Sequence, residues 1–120
     1  MNKMDSIVSL LEAGARAEGL RQQAIAANVS NLQTPGYRTV EVEFEKLLEK
    51  ALASGSTREL RDLAPELYHP EDTPVKANGN DVVFEVEVGK MVQNSLRHKT
   101  FIRLLSKKYH QIEQAIDIKG

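Results

Sequence analysis

Ala27-Asn28-Val29-Ser30-Asn31-Leu32-Gln33-Thr34-Pro35-Gly36-Tyr37-Arg38 is the stretch on which the fold turns. Helix-compatible residues lead into it and a Thr-Pro-Gly break ends it. Pro35 has no N–H to donate and disfavours helical geometry at Thr34. Pro35-Gly36 fits the two central positions of a type II turn, where glycine takes positive φ cheaply. Asn28 and Asn31 lie three apart on one helix face. Their amides are suited to bond backbone groups freed where the helix stops. Tyr37 places a ring with a polar tip just past the turn, able to pack back on the helix. The stretch ends one helix and aims the next segment.

Upstream, residues from about Asp5 to Gln33 read as helical. Asp5 or Ser6 is a candidate N-cap. Ile7, Val8, Leu11, Ala15, Ile25, Val29 and Leu32 supply apolar positions at helical spacing, interrupted by Gly14, Glu18 and Gln22. Those interruptions predict a weak middle. Ala24, Ala26 and Ala27 leave room for a second helix.

Downstream, all four prolines fall between Thr34 and Asn80, with Ser54-Gly55-Ser56 and Asn78-Gly79-Asn80 as further turn signals. Val40, Val42 and Phe44 alternate, then Leu47, Leu48 and Leu52 turn helical, so a short extended piece precedes a short helix. Residues 58–80 are poor in apolar side chains and read as mobile. The segment 34–80 carries 6 basic and 9 acidic residues.

From Asp81 to about Ile118 the pattern is strongest. Asn80 or Asp81 can cap a helix here, and Glu85 and Glu87 suit its first turns. Positions Phe84, Val88, Met91, Ser95, His98, Ile102, Leu105, Tyr109, Ile112 and Ile116 repeat with heptad spacing, and eight of the ten are apolar or aromatic. Two long helices with facing seams predict an antiparallel, coiled-coil-like pair. The fold class is therefore mainly α: helix in 1–33, an irregular segment in 34–80, helix in 81–120, all one structural unit. A single pair leaves apolar stripe uncovered, and that implies partners.

Composition narrows the function. There is no cysteine, which excludes a thiol nucleophile, a disulfide framework and a Cys-based zinc site. His69, His98 and His110 form no metal-ligand spacing, and no glycine-rich phosphate loop occurs. Glu41, Glu43 and Glu45 alternate along an extended segment and read as a solvated edge. The run Arg97-His98-Lys99-Thr100-Phe101-Ile102-Arg103-Leu104-Leu105-Ser106-Lys107-Lys108 could pass for a nucleic-acid or lipid-binding helix face. The seam continues through it, and net charge is only -1. These features point away from an enzyme, a cofactor, a metal, a nucleic-acid ligand or a small-molecule substrate.

The run Asn28-Val29-Ser30-Asn31-Leu32-Gln33-Thr34-Pro35-Gly36-Tyr37 resembles the Asn-x-x-Asn-x-x-Thr-Pro-Gly-aromatic motif of bacterial flagellar rod, hook and related axial proteins. There, too, the motif follows the N-terminal helix. Gly79-Asn80-Asp81-Val82, leading into a helix with Met91, Asn94, Leu96, Arg97, Leu104, Leu105, Lys108, Tyr109, Ile112 and Ile116, is similar to the C-terminal helix of the proximal rod members. Ser30, Val83 and His98 depart from the family pattern. They stand where alanine, an acidic residue and an aromatic are common.

The resemblance implies a structural subunit that polymerises through its terminal helices into the drive shaft of the flagellar motor. Asn28, Asn31, Thr34, Pro35, Gly36 and Tyr37 are then the motif and helix stop. Phe84, Val88, Met91, Ile102, Leu105, Tyr109, Ile112 and Ile116 are the assembly seam. Implied partners are further copies, other rod proteins, a FliE-type rod adaptor, the membrane ring and the flagellar type III export apparatus. The implied location is the periplasmic part of the basal body, reached without a cleaved signal peptide. With the resemblance set aside, a coiled-coil adaptor fits the same pattern; within the resemblance, the alternative is another flagellar axial protein.

Overall fold

The computed structural model describes residues 3–119. Two long helices, α1 (Lys3–Ser30) and α4 (Phe84–Lys119), run antiparallel and account for most of the molecule's 65 × 27 × 15 Å extent. Between them lie β1 (Glu41–Glu43), α2 (Glu45–Ser54), α3 (Thr57–Arg61) and β2 (Glu66–Tyr68). The strands pair antiparallel, with Glu41 opposite Tyr68, Val42 opposite Leu67 and Glu43 opposite Glu66. The mainly helical fold class, the extended piece and the short helix match expectation. Residues 58–80, read as a mobile stretch, contain most of α3 and all of β2.

The core lies on the middle-segment side of α1. Ala13, Ala17 and Ala24 pack with Val42 and Phe44, flanked by Leu20, Val40, Leu48 and Leu63. Small side chains on α1 let the hairpin and α2 approach its backbone, and Phe44 supplies the bulk they lack. Arg16 adds a polar clasp, donating from Nη2 to the carbonyls of Arg61 and Leu63, 3.2 Å each. Ser6 meets Thr57 at 3.0 Å. Gly55, at φ 70°, ends α2 in the left-handed cap that glycine takes without strain.

An adjoining face of α1 meets α4 through residues that read as defects in the sequence. A Cβ on Gly14 would lie 2.3 Å from the Phe101 ring, so the missing side chain is the socket for that ring. Glu18 is buried beside Asn94, whose amide donates to the Glu18 carbonyl at 2.7 Å. The middle of α1 is thus a docking face rather than a weak stretch. Gly14 with Phe101 and Asn28 with Glu87 are contacts two heptads apart on both helices, which fixes one register.

Three details of the sequence reading change. Helix α1 already includes Asp5 and Ser6, so neither caps it. It ends at Ser30, with Asn31 to Gln33 in a turn. Helix α4 begins at Phe84, and Glu87 N–H donates to the Val83 carbonyl at 3.1 Å, so Asn80 and Asp81 lie outside the helix and do other work.

A Gly14→Val substitution is expected to destabilise the fold by about 1–3 kcal/mol through overpacking against Phe101. Gly19 is also helical, but its Cβ direction is open. Gly19→Ala is expected to stabilise by about 0.5–1 kcal/mol. Thermal melts followed by circular dichroism separate the two outcomes.

Candidate assembly site

The Asn-x-x-Asn-x-x-Thr-Pro-Gly-Tyr stretch forms a knot joining the end of α1 to the start of α4. Asn28 is its centre. Its side-chain oxygen accepts from Val40 N–H at 2.9 Å and from the Tyr37 hydroxyl at 3.0 Å. Its amide donates to the Val40 carbonyl and to the Glu87 carboxylate, both at 3.1 Å. One buried amide therefore holds helix, turn, strand entry and second helix together. The sequence reading places both Asn28 and Asn31 against freed helix-end groups. The structure gives that task to Asn31, whose amide donates to the Ala27 carbonyl at 2.8 Å. Thr34 Oγ1 donates to Asn31 Oδ1 at 3.1 Å.

The turn follows the chemistry of its residues. Gly36 has φ 76°, and Tyr37 N–H closes on the Thr34 carbonyl at 3.3 Å. Gly36 N–H donates to Asn78 O at 2.9 Å, and a Cβ on Gly79 would come within 3.3 Å of Gly36 Cα. The two glycine turns sit back to back. Asn80 completes the tie, its amide donating to the carbonyls of Asn31 at 2.9 Å and Thr34 at 2.8 Å. Thus Asn80 satisfies the end of α1, although the sequence suggests it as a cap for α4. Asp81 turns the other way. Its carboxylate accepts from Thr39 N–H at 2.6 Å, from Arg38 Nε at 3.0 Å and from the Thr73 hydroxyl. Burial raises the Asp81 pKa, but these donors outweigh it and hold the carboxyl at about 2, against an ordinary 3.8.

A polar chain continues from the knot. Glu87 accepts from Lys90 at 3.2 Å, Lys90 bonds Glu41 at 2.7 Å, and Glu41 accepts from the Tyr68 hydroxyl at 3.0 Å. Burial opposes ionisation of Glu41, yet Lys90 and Tyr68 keep its pKa below the usual range. Glu41, Tyr68 and Lys90 line a cleft with Arg21, Glu45 and Arg97. Arg21 joins Glu18 and Glu45 there, each at 2.7 Å, so the cations and carboxylates of this cleft largely answer one another. No buried side-chain donor or acceptor lacks a partner among the described residues. No group of three metal-ligating side chains occurs among them either. No described helix is long and apolar enough to cross a membrane.

Helix α4 turns Glu87, Lys90, Asn94, His98, Phe101, Leu105, Lys108 and Ile112 inward, each buried or half-buried. Of the seam read from the sequence, Leu105 and Ile112 belong to this face. Phe84, Val88, Met91, Ile102, Tyr109 and Ile116 are exposed, from 39% at Val88 to 66% at Ile116. Val86, Val92, Leu96 and Leu104 are exposed as well. Apolar residues therefore surround much of α4, and the side it turns to α1 is partly polar. Sequence reasoning missed Glu18, Glu87 and Gly14 as contact points, because a hydrophobic pattern scores them as breaks.

No family model matches the chain. Curated relatives do. The flagellar basal body rod protein FlgB of Bacillus subtilis is 22% identical, with 92% of each chain covered. FlgB of Cereibacter sphaeroides is 28% identical over 88% of this chain and 93% of its own. FlgB of Escherichia coli K12 is 27% identical over 88% and 89%. The chain is similar to these FlgB proteins along most of its length. The likeness spans both long helices and the segment between them. Its FlgB relatives are named as rod components, which agrees with a non-catalytic reading of the cleft.

Asn28→Ala is expected to cost about 2–3 kcal/mol, because it strands partners on three residues, Tyr37, Val40 and Glu87. The measurement is chemical denaturation of the purified chain. For Asp81 the folded pKa lies below the ordinary value, so its contribution is complete above about pH 4 and fades as pH falls toward about 2. Between about pH 5 and 2 the parent chain should lose more stability than Asp81→Asn, which is already weaker at neutral pH.

Proposed function

We propose that this chain is a structural subunit of the flagellar basal-body rod, in its proximal part, polymerising through its terminal helices. The observation that carries the reading is the likeness to FlgB proteins along nearly the whole chain, 88–92% of it in the three relatives above. The exposed apolar face of α4 supports it, since a shaft needs surfaces that bury against neighbours. Each Leu, Ile or Val so buried contributes roughly 1.5–3 kcal/mol, and repetition along a stack yields a shaft able to carry motor torque.

In this reading the exposed seam residues Phe84, Val88, Met91, Ile102, Tyr109 and Ile116 meet other subunits, while Leu105 and Ile112 stay on the inward face. Asn28, Asn31, Thr34, Pro35, Gly36 and Tyr37 fix the angle at which the middle segment leaves the helical core. The subunit is exported unfolded through the flagellar type III apparatus and acts at the periplasmic basal body. Its neighbours are other copies, other rod proteins, a FliE-type adaptor and the membrane ring. It catalyses no reaction and uses no cofactor.

Deleting the gene is expected to abolish motility and leave basal bodies without a rod in electron micrographs. The intact gene should restore both, and a copy lacking residues 81–120 should not. Pro35→Ala with Gly36→Ala should also impair assembly, by letting α1 run on and by straining a backbone held at φ 76°. Complete rods and normal motility in the deletion strain would overturn the reading.

A further inference from the structure

Resting on the rod reading, we infer that the basic ridge of α4 docks on the acidic β-hairpin of a second copy of this chain. Residues 97–112 hold five lysines and arginines and no aspartate or glutamate. Lys99, Arg103 and Lys107 recur one helical turn apart, are exposed, and make no ion pair with a described residue. Half-exposed Ile102 shares their groove. The opposite sign is concentrated in the middle segment, with 9 acidic against 6 basic residues in 34–80.

The hairpin carries a second mark. Glu43 and Glu66 stand directly opposite each other across the two strands, and neither has a cation partner among the described residues. Like charges in that position destabilise a strand pair. All three residues of β2 are exposed, including Leu67 at 56%. A cation brought from outside relieves the repulsion.

The chain's Arg97 lines the same cleft as Glu43, but its ridge around Arg103 lies farther along α4. Its hairpin is held at Lys90 by Glu41, about 20 Å along α4 from Arg103 at 1.5 Å per residue. That exceeds the screening length of about 8–10 Å in physiological salt. A near-neutral chain with segregated blocks of opposite charge is complementary to itself. The two surfaces differ, so the contact is heterologous: one copy's ridge meets the next copy's hairpin, leaving a free surface at each end. Such contacts propagate as open helical assemblies wherever the rotation between copies does not close a ring.

The test exchanges the charges. Glu43→Lys with Glu66→Lys should abolish swarming in the complemented deletion strain, as should Lys99→Glu with Arg103→Glu. All four substitutions together should restore it. Circular dichroism of each purified variant reports whether the helices persist. Because the chain has no cysteine, Glu66→Cys and Arg103→Cys can also be placed in separately expressed copies without background. A short bismaleimide linker should join these copies in isolated basal bodies and fail to do so when Lys99→Glu and Lys107→Glu are added to the Arg103→Cys copy. Folded reversal variants that swarm normally would overturn the contact, as would a ridge defect that the hairpin exchange does not repair. The second outcome would assign the ridge to another polyanion, such as lipid or nucleic acid. If basal bodies contain the chain but no 66-to-103 product forms, the rod reading stands and this contact does not. If deleting the gene leaves motility intact, the rod reading itself fails.

Discussion

The Asn28 side chain is the constraint on which the structure depends. A buried amide presents one oxygen and two N–H groups, and each must find a partner or cost free energy. Here the oxygen takes Val40 N–H and Tyr37 Oη, and the amide serves Val40 O and Glu87. Those partners lie on the segment leaving α1 and on α4. The amide can be satisfied only if the chain turns after Ser30, passes back along α1 as β1, and later returns α4 to the same point. Local turn chemistry and long-range topology are thereby coupled through one side chain.

The other polar contacts extend that coupling. Asn80 closes the carbonyl end of α1 while standing just before α4. Gly36 and Gly79 bring two turns close enough that a side chain on Gly79 would press on Gly36. Asp81 fastens Arg38, Thr39 and Thr73. With the knot and the Gly14 socket both set, the helices have one register. The buried apolar core is small and favours alanine, so specificity comes largely from this polar framework. The apolar residues left over on α4 remain available to partners.

Much of this was legible in the sequence, for physical reasons that can be named. Pro35 and Gly36 announce the helix stop because neither fits a helix interior. Val40, Val42 and Phe44 announce a strand by alternation, and the long apolar pattern of α4 announces a helix. The face that α4 turns to α1 was not legible. That face uses Glu87, Asn94 and Lys90, which a hydrophobic pattern assigns to solvent, whereas the more apolar column through Val88, Ile102 and Tyr109 is exposed. Asn80 was seen as a turn residue, but its partners are more than forty residues away, and no local rule reports them. The charge in residues 97–112 was visible from the start. Its meaning depends on the acidic hairpin, whose strand pairing appears only in three dimensions.

The most direct measurement is a cryo-electron microscopy reconstruction of the isolated basal body at side-chain resolution. It should place this chain in the rod with α1 and α4 paired as here, the Asn28 knot intact, and Phe84, Met91, Ile102, Tyr109 and Ile116 buried against neighbouring subunits. A rod built without this chain, or one in which that face of α4 stays in solvent, would contradict the account.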